Sequence, residues 1–351
     1  MPTIECTLQG FGSARTPSQP VSVSLLDLLF TAATVGMPTL ASHPASARPL
    51  LEMQWRMAMV AANLRITDGG KRWARSDAYD RLDPSEKTSV SYFLGMTQAA
   101  LMSQLALGYP HLVHVDLLLA QQGVPLKGKR PDFVAVNPTA PRRYSATVEA
   151  KGRTNRFDQD ALDKAKQQAT LIPAVNGLVP RETVGSEAYF NDSEHWTSRL
   201  VDPDWEGETL SFGLETYLLV YYRTIIDAGR ESNNWNRADD EYRFVVPGFP
   251  LQLQIPAAIV DAYDRSARYD TNDERDGEAH IVHAHDELTE RNRPGPNLTS
   301  TVDDSDSAPS TPTGSPTVAP ADEAVPASSF ITMEPLDDEA EAALLTLFEK
   351  G

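Results

Sequence analysis

Three strand-length segments follow a capped helix in the middle of this chain, and that succession limits the folds open to it. The helix begins with Asp83 as cap, Pro84 at the first helical position and Glu86 three residues after the cap. Val90, Phe93, Leu94, Thr97, Leu101 and Leu105 then repeat at helical spacing, and Gly108 stops the run. After Pro110 the period changes. "HLVHVDLLLA", "PDFVAVN" and "YSATVEAKG" are apolar and β-branched at strand length, and the turn-rich "PTAPRR" separates the last two. A polar break leads into a second helix from about 159 to 172, with Leu162, Ala165, Ala169 and Ile172 on one face, and "ETVGSEAYF" is the next strand. The order helix, strand, strand, strand, helix, strand predicts a small sheet flanked by helices.

Residues outside this block divide by composition. Residues 1–82 read as an N-terminal helical region, with a Ser24-x-x-Asp27 capping pattern ahead of "LLDLLFTAATVGM" and a second apolar helix from about 48 to 65. "FGLETYLLVYYRTIIDAG" fits a long buried helix or a strand. Residues 83–267 form the main domain, and 268–335 form an acidic linker too poor in apolar residues to offset ordering entropy. Residues 336–351 return to helical spacing, with Leu344, Leu345, Leu347 and Phe348 as a short apolar face that needs a groove. A protein partner fits that need better than the chain's own core.

Charge follows the same division. Of 49 acidic residues, 21 lie after Val260 beside six basic ones, leaving 28 acids against 25 bases before it. Between Lys127 and Arg156 stand eight bases and two acids, the most basic stretch of the chain. Lys127, Lys129, Arg130, Arg142, Arg143, Arg153 and Arg156 are the candidate contacts to nucleic-acid phosphates. The single cysteine, Cys6, excludes an intrachain disulfide and a cysteine-rich zinc site. No apolar run is long or clean enough to span a bilayer, so the expectation is a cytoplasmic protein with no membrane contact.

The two acids of the basic window carry the chemistry. Asp132 begins one predicted strand. Glu149 and Lys151 lie two apart on the next, so they share a face. Glu149-x-Lys151 is the chain's only acid-x-Lys triplet. Two close carboxylates repel unless a cation neutralises them, and hard oxygen donors suit Mg²⁺, with Mn²⁺ as a substitute. A lysine beside such a pair can orient a nucleophile or offset charge on a phosphate.

These residues resemble the PD-(D/E)xK, or restriction-endonuclease-like, nuclease superfamily over roughly residues 83 to 190. The resemblance implies an α/β restriction-endonuclease-like core, a mixed central sheet flanked by helices, followed here by the acidic tail. It implies Mg²⁺ held by Asp132 and Glu149, Lys151 assisting the attacking water, and a glutamine on the following helix, Gln168 in preference to Gln167. The expected activity is phosphodiester hydrolysis in DNA, in restriction, repair or defence against foreign DNA. The alternative is a non-catalytic binding or regulatory protein on the same fold, acting through its tail and C-terminal helix. Glu86, the one acid on the preceding helix in a family-like position, is explained by capping.

Other groups read more plainly. His280, His283 and His285 near Glu287 lie at the edge of the acidic segment with no scaffold, and His111 and His114 as edge or core histidines. Asp116 and Glu187 are strand positions near the site. "DGGKRW" lacks the spacing of a phosphate loop, so Lys71 is no nucleotide-binding candidate.

Overall fold

A computed structural model of the chain describes residues 1–12, 16–35, 48–124, 130–138, 144–168, 171–175, 180–202, 208–269, 280–292 and 330–349. Strand β1 (Thr3–Gln9) buries Ile4, Cys6 and Leu8 on one face while Thr3, Glu5 and Thr7 stay half-exposed. β2 (Ser18–Ser22) pairs with it antiparallel. Helix α1 (Leu25–Thr34) starts at Ser24, whose hydroxyl accepts the Asp27 N–H at 3.0 Å while the Asp27 carboxylate accepts from the Ser24 N–H at 3.1 Å. α2 (Pro49–Asn63), β3 (Leu64–Thr67), β4 (Arg72–Arg75) and α3 (Asp77–Arg81) complete the N-terminal region. The expectation of a helical region over 1–82 is therefore corrected: it supplies four strands to the main sheet. The alternation in "TIECTLQ" was the signal for the first of them.

α4 (Pro84–Leu105) has the predicted capping box, Ser85 and Glu86 N–H donating to Asp83 and Asp83 N–H to Glu86. β5 (His111–His114) is shorter than predicted, because "VDLLLAQ" turns into α5 (Val115–Gln121) with His114 Nδ1 accepting the Asp116 N–H. β6 (Phe133–Asn137), β7 (Tyr144–Gly152) and α6 (Gln159–Gln168) follow, then β8 (Leu171–Val175), β9 (Glu182–Phe190) and β10 (Trp196–Val201). The nine-stranded sheet runs β3-β4-β1-β10-β9-β7-β6-β5, with β2 off β1. β5, β6 and β7 form an antiparallel meander, and β9 lies parallel to β7 beyond the α6 crossover. α4 packs on one face of β7 and β9 and α6 on the other. With both faces covered, β6 is buried at every position, which is why it reads as a continuous apolar run.

β11 (Glu208–Phe212) pairs only with β8 among the described residues. The ambiguous segment after it is helix α7 (Leu214–Glu231), whose 18 residues exceed the usual strand length. β12 (Asn236–Ala238), β13 (Glu241–Val246) and β14 (Leu251–Pro256) form an antiparallel sheet, followed by α8 (Ala257–Tyr269). Two segments then correct the expectation of disorder over 268–335. Residues 280–291 form α9 (His280–Arg291), with Ile281, Ala284 and His285 buried, and β15 (Thr332–Pro335) adds a fourth strand beside β14. The rest of that linker, 270–279 and 293–329, lies outside the described residues.

The C-terminal helix α10 (Asp338–Glu349) corrects a further expectation. Phe348 is fully buried edge-on against Trp73 with ring centroids 5.4 Å apart, and Leu344 is buried beside it. The groove that this helix needs is supplied by the chain's own core, not by a partner. No helix among the described residues is long and apolar enough to cross a membrane.

Candidate functional site

β6 and β7 run antiparallel with Phe133 opposite Val148, so one step back along β6 brings Asp132 level with Glu149. Asp132 stands just ahead of the strand, and its Oδ2 accepts the Ala150 N–H at 2.8 Å. The carboxylate thus takes the place of the backbone acceptor that a longer β6 would offer. Glu149 and Lys151 project from one face of β7, and the Lys151 ammonium donates to Glu149 Oε1 at 2.5 Å. Glu149 is 4% exposed and, among the described residues, its Oε2 has no hydrogen-bond partner. The structure therefore brings the three residues read from the sequence to one rim of the sheet.

The electrostatics follow from burial. Loss of water raises the Glu149 carboxyl to about 7, with the Asp132 charge adding to the rise and Lys151 opposing it. Burial also raises Asp132, against the Ala150 N–H and the Lys151 charge. A buried acid with one orphan oxygen, beside a second acid that repels it, is a donor set a divalent cation would relieve. Asp132 and Glu149 would present two carboxylates to such an ion. Among the described residues no group of three or more His, Cys, Asp or Glu side chains is placed to hold a metal.

The neighbours of the triad come from four elements. Arg130 pairs with Asp116 of α5, and His114, next to them, is held down near 4 by burial. On α4, burial raises the Tyr92 hydroxyl, and the charges of Asp132, Glu149 and Asp116 raise it further. Glu187 of β9 lies in register with Lys151 and is fully buried under the start of α6, where its Oε1 accepts the Asp158 N–H at 2.8 Å. Burial lifts Glu187 to about 7, offset by that N–H and by the Arg153 and Arg199 charges. Gln167 and Gln168 end α6, and their side chains lie outside the described residues. Glu86 lies in the α4 capping box.

The basic window is less open than its sequence suggests. Lys127, Lys129, Arg142 and Arg143 lie outside the described residues. Arg130 pairs with Asp116, Arg153 with Asp158 at 2.5 Å, and Arg156 with Asp192. The last two line a cleft of about 690 Å³ that also holds Asp160 and Glu194, so its walls carry both signs of charge. The α9 histidines diverge: His283 meets Glu287 at 3.1 Å on the exposed face, whereas His285 is buried.

Sequence reasoning missed the two glycines that let α4 approach β7. A Cβ on Gly95 would lie 2.6 Å from the Gly152 nitrogen, and one on Gly152 would strike the Ser91 carbonyl. The signal was Gly152 directly after the Glu-x-Lys strand. It also missed Tyr92, on a helix that no local motif ties to the site. No known protein family, curated protein or solved structure matches this chain.

Proposed function

We propose that the protein is a metal-dependent nuclease that hydrolyses phosphodiester bonds, with DNA as the first substrate to test. One observation carries the reading: Asp132, Glu149 and Lys151 meet at one rim of adjacent strands, with a buried carboxylate oxygen of Glu149 that has no partner among the described residues. The element order around them, α4, β5, α5, β6, β7, α6, β8, β9, with β9 parallel to β7, supports the resemblance to PD-(D/E)xK nucleases.

Asp132 and Glu149 would hold Mg²⁺ or Mn²⁺, which supplies Lewis acidity toward a phosphate and a bound water of lowered pKa. The chain's own residues do the rest. The Ala150 N–H fixes one Asp132 oxygen. Glu149 orients the Lys151 ammonium, which donates a hydrogen bond to the attacking water or offsets charge gathering on the phosphoryl oxygens. Burial of the acids keeps bulk water from screening these charges.

The ion pairing of Arg130, Arg153 and Arg156 leaves them less available to phosphate and favours a second reading, a non-catalytic binding or regulatory protein on the same fold. A cleavage panel separates the two. Plasmid, linear duplex, single-stranded DNA and RNA are incubated with Mg²⁺, Mn²⁺ or EDTA, using wild type and Asp132→Ala, Glu149→Ala and Lys151→Ala. Metal-dependent cleavage lost in all three variants supports the enzyme. Wild-type rates in the variants, or no cleavage by any protein, overturn it.

A further inference from the structure

A second pocket, of about 320 Å³, opens between α1, α2 and α4. Trp55, Tyr92 and Phe93 line it beside smaller apolar residues. Trp55 is 50% exposed and Tyr92 47% exposed, large rings that ordinary packing would cover. Phe93 holds both in place, meeting Trp55 edge-on at 4.7 Å and Tyr92 at 5.2 Å. Two polar groups line the same space: the buried Arg56 guanidinium and the Glu52 carboxylate, 3.4 Å apart. The pocket therefore offers flat π-faces together with adjacent donors and an acceptor in one small volume.

Its position ties it to the triad. Tyr92 lines the pocket, and the charges of Asp132 and Glu149 reach its hydroxyl. Ser91 and Gly95, on the other side of α4, contact Gly152, the residue after Lys151. The pocket is thus built on the helix that packs against the triad's strand.

We propose that this pocket stacks one unpaired nucleobase, so that the substrate is a single-stranded or frayed nucleic acid; the inference rests on the nuclease reading above. A planar heterocycle matches the flat aromatic walls, and its edge carries acceptors for Arg56 and donors for Glu52. An aliphatic side chain of a protein partner would make no use of that polar pair. Bases inside a duplex are already stacked and cannot enter, whereas single strands bind by aromatic stacking. Arg130, Arg153 and Arg156 are engaged in ion pairs, so stacking would carry a larger share of affinity than their attraction for phosphate and the salt dependence would be shallow.

The test is a fluorescence titration of the full chain in EDTA, which keeps binding apart from cleavage. The probes are a 12-nucleotide single strand and the duplex of the same sequence. The single strand is expected to bind at least tenfold tighter. Trp55→Ala and Tyr92→Ala should each weaken it by about 5- to 100-fold, the range for one lost stacking contact. Trp55→Phe should restore most of the affinity. Both rings are half-exposed, so a melting curve close to that of wild type confirms that each variant folds. Equal affinity for duplex and single strand, no loss in Trp55→Ala, or quenching of Trp55 by an apolar dye and not by the oligonucleotide each overturns the proposal. The nuclease reading fails separately. Trp55-dependent binding without cleavage leaves the pocket standing and removes the enzyme. Metal-dependent cleavage with an unchanged KM in Trp55→Ala does the reverse.

Discussion

Gly95 and Gly152 meet backbone to backbone: the central turn of α4 rests on the end of β7 with no space for a methyl group between them. This contact sets the height of the helix above the Glu149–Lys151 strand.

Alanine at either glycine tests that contact. In a helix interior alanine is favoured over glycine by about 0.5–1 kcal/mol. Overpacking against backbone costs about 1–3 kcal/mol or more, and backbone cannot swing aside as a side chain can. The clash wins, so Gly95→Ala and Gly152→Ala should both lower the urea midpoint. Either variant matching or exceeding wild-type stability would show that the helix can lift without cost.

Glu149 should make the protein less stable as the solution turns alkaline. Its carboxyl titrates at about 7 in the folded chain against an ordinary value of 4.5. The folded state keeps a proton that the unfolded chain loses, so stability falls as pH rises from about 4.5 to 7 and the penalty is complete above 7. Glu149→Gln keeps the shape without the charge. It should gain about 1–3 kcal/mol over wild type at pH 8 and little at pH 4.5. Denaturation curves with the same offset at both pH values would contradict the assignment.

A cation at Asp132 and Glu149 reverses that penalty. Ligand binding needs both acids deprotonated, so Mg²⁺ should raise the melting temperature at pH 8 and do little at pH 5.5. The rise should vanish in Glu149→Gln and Asp132→Asn. A Mg²⁺ effect of the same size in those variants would place the ion elsewhere.

Helix α10 should contribute to global stability. Phe348 is fully buried against Trp73, and Phe→Ala truncations in cores cost about 3–5 kcal/mol. Phe348→Ala should approach that loss and shift the emission of buried Trp73, and Leu344→Ala should follow in the same direction. A change under about 1 kcal/mol would mean that the helix detaches freely.

His111 should limit stability in acid. The ring is buried, 4.5 Å from Tyr221 and 5.3 Å from His285, and neither nitrogen has a hydrogen-bond partner among the described residues. Burial, and then the His285 charge, hold its pKa well below 6.5. Its contribution is intact above pH 6.5 and is lost as pH falls, because the unfolded chain takes up a proton that the folded one refuses. His111→Phe should flatten the melting-temperature profile between pH 6.5 and 5. An acid limb as steep as that of wild type would move the sensitivity to another group.

What the sequence determined by itself is local in origin. Caps at Ser24 and Asp83, the apolar runs of β6 and β7 and the two-residue spacing of Glu149 and Lys151 act over a few residues. Hydrogen bonding and strand periodicity at that range leave few alternatives. The meander, the crossover helix and the shared rim of the three site residues were legible on that basis. Tertiary structure alone decided the rest. β1, read as part of a helical region, alternates as a strand does, and nothing in its sequence places it between β4 and β10. Composition marked residues 280–292 and 330–335 as too polar to order, yet a few apolar residues on each, Ile281, Ala284, Ile331 and Met333, find a surface already built by α7, α8 and β14. The same holds for Leu344 and Phe348, and for the arginines whose acidic partners lie elsewhere in the fold or on a neighbouring turn. Burial and ion pairing depend on which surfaces meet, and that is settled only when distant segments pack together.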